Sequence, residues 1–188
     1  MRIEPLSPAL LNDWLHFFDT VAFTDNADWA GCYCSCYQVN CSNKEWSSRT
    51  KEQNRTWAQL AIQSGTLQGY MAYEGNQAVG WCNVNGKTSF PLLIREKELL
   101  HDEASSKTAA IICFVISPQH RGKGIARKLL QHAIAGYAAK GVEAIEAYPY
   151  KGELSPADQF HGPLELFLSE GFSVLKEFER FSVVRKTF

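Results

Sequence analysis

The stretch CFVISPQHRGKGIARKLL, Cys113–Leu130, decides the reading of this 188-residue chain. It begins inside an apolar run, Ala109–Ile116 (AAIICFVI), whose two faces are both hydrophobic, as in a central strand covered on each side. It ends inside Ile125–Lys140, where Ile125, Leu129, Leu130, Ala133, Ile134 and Tyr137 recur at helical spacing and Gly141 supplies a stop. Between strand and helix, Gly122 and Gly124 let the backbone turn tightly with its amides pointing inward. Those amides join the first unpaired N–H groups of the helix in a concave set of donors. The helix dipole adds partial positive charge there, and Arg121, Lys123 and Arg127 add full charges. Such a loop suits a pyrophosphate. Its spacing is neither that of a P-loop nor that of the three-glycine dinucleotide fingerprint.

Working outward, Gly69–Glu74 and Gln77–Asn85 flank the turn Gly75-Asn76 and read as a hairpin. Val142–Tyr148 reads as another strand, Pro163–Glu170 as a short helix ended by Gly171, and Phe172–Lys186 as two closing strands. Upstream, Arg2–Pro5 is a short strand. A helix follows from Ser7-Pro8 to about Asp19, with Leu10, Leu11, Trp14, Leu15 and Phe18 on one face. Residues 20–43 form a long irregular segment. A second helix runs from the Ser42/Glu45 capping box to Gly65, and residues 86–108 form another long connection. The fold class is α/β, a mixed sheet flanked by helices. No linker or repeat divides the chain, so residues 1–188 read as one domain.

Gln119-His120-Arg121-Gly122-Lys123-Gly124, after an apolar strand and Ser117-Pro118, resembles the Gln/Arg-x-x-Gly-x-Gly/Ala signature of the GNAT superfamily of N-acetyltransferases. The order of elements and the late pair Gly171-Phe172 resemble that fold too, well over residues 69–188 and loosely before them. The resemblance implies a splayed central sheet and acetyl-CoA as co-substrate. It places the cofactor on Phe114, Val115 and Ile116 of the strand and on Gln119, His120, Arg121, Gly122, Lys123, Gly124, Ile125 and Ala126 of the loop. Strand N–H groups would stabilise the oxyanion formed when a primary amine attacks the thioester directly.

One departure matters. Phe167 occupies the position where the family commonly has a tyrosine that protonates the thiolate. Tyr148, Tyr150 or His161 stand in as acids, with Tyr148 first because it ends a strand bordering the cofactor. Glu146, on the same strand face as Tyr148, and His161 are the candidate bases. If none of them serves, either the thiolate leaves without a dedicated acid or the chain is an acyl-CoA sensor or regulatory protein.

Trp29-Ala30-Gly31-Cys32-Tyr33-Cys34-Ser35-Cys36-Tyr37 contains no CxxC pair, and with Cys41 it matches no common zinc spacing. No metal is expected. In proteins of this resemblance the segment borders the acceptor pocket, where Asp25 and Asp28 would attract a small amine-bearing acceptor. The alternative is a loop packed on the core. Net charge is −1 with no basic run, which disfavours nucleic acid. The N-terminus lacks a secretory h-region and no apolar run is long enough for a membrane span, so the expected compartment is the cytoplasm and the cysteines are expected as thiols. A homodimer is compatible with these features.

Overall fold

The computed structural model describes residues 1–95, 106–154 and 159–188. Seven strands form one sheet: β1 (Arg2–Pro5), β2 (Gly69–Glu74), β3 (Gln77–Gly86), β4 (Thr108–Ile116), β5 (Ala144–Ala147), β6 (Ser173–Glu177) and β7 (Ser182–Thr187). Their order is β1-β2-β3-β4-β5-β7-β6. Among the described residues, only β4 and β5 pair in parallel. That pair needs a crossover, and α5 (Ile125–Ala139) supplies it. The other helices are α1 (Leu11–His16), α2 (Asn43–Ser47), α3 (Lys51–Gln63), α4 (Pro91–Arg95) and α6 (Leu164–Ser169).

Alternation along the strands sorts the core onto two faces. Ala109, Ile111 and Phe114 of β4, with Ile145 and Ala147 of β5, pack under Leu129, Leu130 and Ala133 of α5. On the opposite face, Trp81 and Val115 join Trp14, Phe17, Phe18 and Ile62 from the N-terminal helices. A third cluster gathers Phe90, Leu93, Ala110, Ile112, Tyr148 and Val183.

The fold class and the order of elements along the chain agree with the reading of the sequence, and several local features differ. The helix expected to run from residue 43 to Gly65 is two helices. Ser42 and Glu45 do form a capping box, but Thr50 and Gln53 form a second one eight residues later that restarts the chain as α3. The first helix begins as a 3₁₀ turn, Pro8–Leu10, and ends as a π turn, Phe17–Val21, with no side-chain cap from Ser7. The irregular segment contains a 3₁₀ turn at Ala27–Gly31. The strand expected over Val142–Tyr148 is confined to Ala144–Ala147. Part of the long connection expected at residues 86–108 lies outside the described residues; before it come a 3₁₀ turn, Lys87–Ser89, and α4. Among the described residues, no helix is long and apolar enough to cross a membrane.

Candidate active site

The β4–β5 ladder is short. It runs from Thr108 opposite Ala144 to Ile111 opposite Ala147 and then stops. Beyond that point the chain leaving β5 follows β7: Ser182 N–H donates to the Pro149 carbonyl at 2.9 Å, Lys151 N–H to the Arg180 carbonyl at 2.9 Å, and Tyr150 bridges to Phe181. Among the described residues, no strand pairs with β4 on that side from Ile112 to Ile116. A bulge lies here as well, because Ile111 pairs with Val84 while Cys113 pairs with Asn83, leaving Ile112 extra. From Ile112 to Ile116 β4 therefore lines a cleft beside the end of that ladder.

At the C-terminal end of β4 the chain makes the glycine loop. Gly122 (φ 72°) and Gly124 (φ 75°) are both left-handed, and a Cβ at either would meet no protein atom within 4 Å. The glycines thus serve the backbone turn, and the space beside them is open. Gly124 caps α5 with no side chain bonded to the helix's first amides, so those donors remain available. This arrangement fits a phosphate-bearing ligand.

The charged side chains around the loop are tethered. Arg121 Nε donates to the Ile116 carbonyl at 3.2 Å, and its Nη atoms pair with Asp25. Arg127 pairs with Glu170 and donates to Ser169 Oγ at 2.9 Å. His120 sits 2.7 Å from Ser117 Oγ and 3.1 Å from Glu74. Lys123 is exposed.

A cavity of about 1130 Å³ runs from this loop along β4 to the N-terminal segment. Of the expected cofactor residues, Phe114, Val115, Ile116, His120, Arg121, Gly122, Gly124, Ile125 and Ala126 line it; Gln119 and Lys123 do not. Its far end is walled by Phe23, Trp29, Tyr37, Trp46 and Phe160 and by four thiols, Cys32, Cys34, Cys36 and Cys113. Cys32 and Cys34 are held protonated, the first mainly by its hydrogen bond with Cys34 and the second mainly by its hydrogen bond with Cys113, with burial adding to both. Among the described residues, no group of three or more His, Cys, Asp or Glu side chains is placed to hold a metal.

The three candidate proton-transfer residues fall in different places. Glu146 and Tyr148 do share a face, as strand alternation requires, but neither lines the cleft. Glu146 is fully buried and accepts from Lys87 Nζ at 2.8 Å, Arg185 Nε at 2.9 Å and the Tyr148 hydroxyl at 3.0 Å. Both carboxylate oxygens are therefore occupied. Burial and then the Glu146 charge drive the Tyr148 phenol well above its ordinary pKa. Tyr148 faces a second cavity of about 670 Å³, shared with His161, Tyr150 and the β6–β7 turn.

His161 is 2% exposed, and its pKa is pushed down to about 4 by burial, against a smaller opposing effect of the Ile112 backbone. Its Nε2 lies 3.1 Å from the hydroxyl of Tyr37. Tyr37 lines both cavities, and burial raises its pKa. Sequence reasoning passed over Tyr37 because nothing in its local pattern separates it from the other aromatics of the segment. Phe167 is buried against Phe114 and Phe172, a core residue with no opening to the cleft. Asp25 is spent on Arg121, which also holds its carboxyl below the usual range, and Asp28 is exposed outside the cleft. The expectation that these two carboxylates receive the acceptor's charge is corrected accordingly.

The fold matches solved structures over essentially its whole length. An N-acetyltransferase from Staphylococcus aureus Mu50 aligns with a TM-score of 0.58 at 16% identity, covering 99% of this chain and 97% of that one. The yncA protein of Salmonella typhimurium, solved with its cofactor acetyl-CoA, gives 0.56 at 16% identity over 100% and 93%. The paiA N-acetyltransferase of Thermoplasma acidophilum, in complex with coenzyme A, gives 0.54 at 16% identity over 100% of both chains. Among curated proteins, no sequence matches. The sequence model of the acetyltransferase (GNAT) family matches residues 26–161, which contain the diverging β4–β5 pair and the glycine loop, and the chain belongs to that family.

Proposed function

We propose that this protein transfers an acetyl or other short acyl group from acyl-CoA to the primary amine of a small acceptor by direct attack. The observation that carries the reading is one cavity that runs from the end of the β4–β5 ladder at Ile111–Ala147 to an uncapped helix start with open left-handed glycines. In this reading the loop amides hold the pyrophosphate. The free edge of β4 holds the pantetheine arm, and N–H groups near Phe114–Ile116 stabilise the tetrahedral oxyanion. The amine nitrogen bonds to the carbonyl carbon, the C–S bond breaks, and the amine's proton must leave while the thiolate gains one.

The proton passes through Tyr37 and His161. Burial keeps His161 neutral near pH 7, so one ring nitrogen is free to accept. Tyr37 reaches both the cleft and that ring, so it can take the amine's proton while giving its own to Nε2. Reversal of the relay returns a proton to the thiolate. Glu146 and Tyr148 then act as supports, fixing β5 against β7 through Arg185.

The test has two parts. Saturating acetyl-CoA should raise the melting temperature, since a ligand at 100 times its Kd contributes about 2.7 kcal/mol. At this chain length each kcal/mol is worth roughly 2–4 °C. Thiol release from acetyl-CoA should then require an added amine. A thermal shift without amine-dependent release would favour the sensor reading, which the burial of Phe167 supports.

A further inference from the structure

The cleft is electrically divided. Its charged lining, Arg121, Arg127, His120 and Glu165, belongs to the glycine loop, α5 and α6. At the other end, among the described residues, the lining contains no Lys, Arg, Asp or Glu. What it contains instead is five half-buried rings and a set of thiols. The protonated Cys32 and Cys34 behave as small, weakly polar hydrophobes and contribute no anion.

The rings are arranged as a bracket. Trp29, from the turn Ala27–Gly31, meets Phe160, from the turn Gln159–His161, with centroids 5.3 Å apart at 61°. Behind the cleft wall Phe160 continues to Tyr150 at 5.8 Å and 89°, and Tyr150 to His161 at 4.7 Å and 86°, two rings that line the second cavity. Elements far apart in sequence thus place aromatic surface around the approach to Tyr37. Half-exposed rings in a cavity leave apolar area wet, and a ligand that covers them gains about 25 cal/mol per Å².

We infer that the acceptor is an arylalkyl monoamine: one amino group on an aromatic or bulky apolar body, gripped by Trp29 and Phe160. This rests on the transferase reading above. The rings stack on the body, and their faces tolerate a single ammonium before it loses its proton. A polyamine or aminoglycoside has further cations for which the described residues at this end of the cleft offer no carboxylate, and an unpaired buried charge is costly. Asp25 offers no remedy, because Arg121 holds it.

Calorimetric titration of the CoA-saturated protein with 2-phenylethylamine and with spermidine tests the assignment without requiring turnover. Phenylethylamine should bind at least tenfold more tightly. Trp29→Ala and Phe160→Ala should each weaken it by about three- to tenfold, the worth of one good aromatic contact. The CoA-induced thermal shift of both variants reports that they remain folded. Equal or tighter binding of spermidine would overturn the assignment, and so would unchanged phenylethylamine affinity in both variants. Thiol release separates the two levels. Phenylethylamine that binds without releasing CoA defeats the transferase reading and leaves the pocket assignment standing. Release with spermidine and none with phenylethylamine defeats the assignment and leaves the transferase reading.

Discussion

The Tyr37 hydroxyl lies 3.1 Å from Nε2 of His161, 124 positions away in the sequence. This contact ties the cysteine-rich segment to the turn before α6 and stands where two cavities share a wall. In the proposed mechanism it would give the thioester a neighbour able to exchange protons, in a chain whose Phe167 is buried and has no proton to give.

Tyr37→Phe and His161→Ala should each lower kcat by about 10²–10⁴-fold, the usual worth of general acid–base catalysis. Acetyl-CoA affinity should change little, because the loss falls in the transition state. Tyr148→Phe should stay within a few-fold of wild type in kcat. Steady-state kinetics with one saturating amine decides the ranking, and a crippled Tyr148→Phe beside a normal Tyr37→Phe would move the proton chemistry back to β5.

His161 also predicts an acid sensitivity. Its pKa is depressed from 6.5 to about 4 in the folded chain. Between those values the unfolded state takes up a proton that the folded state refuses, so stability rises with pH there and is lost as pH falls from about 6.5 to 4. At 1.36 kcal/mol per unit the loss is about 3 kcal/mol. Urea midpoints measured across this window should fall less steeply for His161→Gln than for wild type.

Glu146→Gln should be strongly destabilising. Lys87 is 1% exposed and its ammonium is 2.8 Å from the carboxylate, so the substitution strands a buried charge, at about 3–5 kcal/mol. Denaturant unfolding monitored by tryptophan fluorescence measures the loss. A cost near zero would mean that water reaches Lys87.

Gly136→Ala should also destabilise, against the roughly 1 kcal/mol that alanine ordinarily gains over glycine inside a helix. A Cβ on Gly136 would stand 1.8 Å from the Tyr70 hydroxyl, so α5 could not stay seated on β2 without displacing that ring. A lowered melting temperature for Gly136→Ala, relieved in the Gly136→Ala/Tyr70→Phe double variant, is the expected result.

The sheet and the glycine loop could be read from sequence because each is written locally. Two-faced hydrophobicity marks β4, and alternation correctly placed Glu146 beside Tyr148. The site's partners were not legible in the same way. Lys87 and Arg185 reach Glu146 only once β3 and β7 are folded, and Tyr37 acquires His161 through a contact that no period encodes. The break between α2 and α3 was legible in principle, since Thr50-x-x-Gln53 is as good a capping box as Ser42-x-x-Glu45. The first box, followed by a distant glycine, concealed the second.

The four-pair ladder between β4 and β5 is the seam of the sheet. Four strands lie on one side of it and three on the other, joined in the sheet plane by Thr108–Ile111 against Ala144–Ala147 and, just before that ladder, by the Glu143 N–H donating to the Lys107 carbonyl at 2.8 Å. Past Ile111 the molecule presents an interior edge one strand wide, and a ligand carrying its own amides would lie there as a removable strand. In the proposed binding mode coenzyme A would do more than deliver an acyl group: it would lace the two half-sheets together. Amide hydrogen exchange at Cys113–Ile116 should slow when it binds, and free protein should breathe along this line before it opens anywhere else in the sheet.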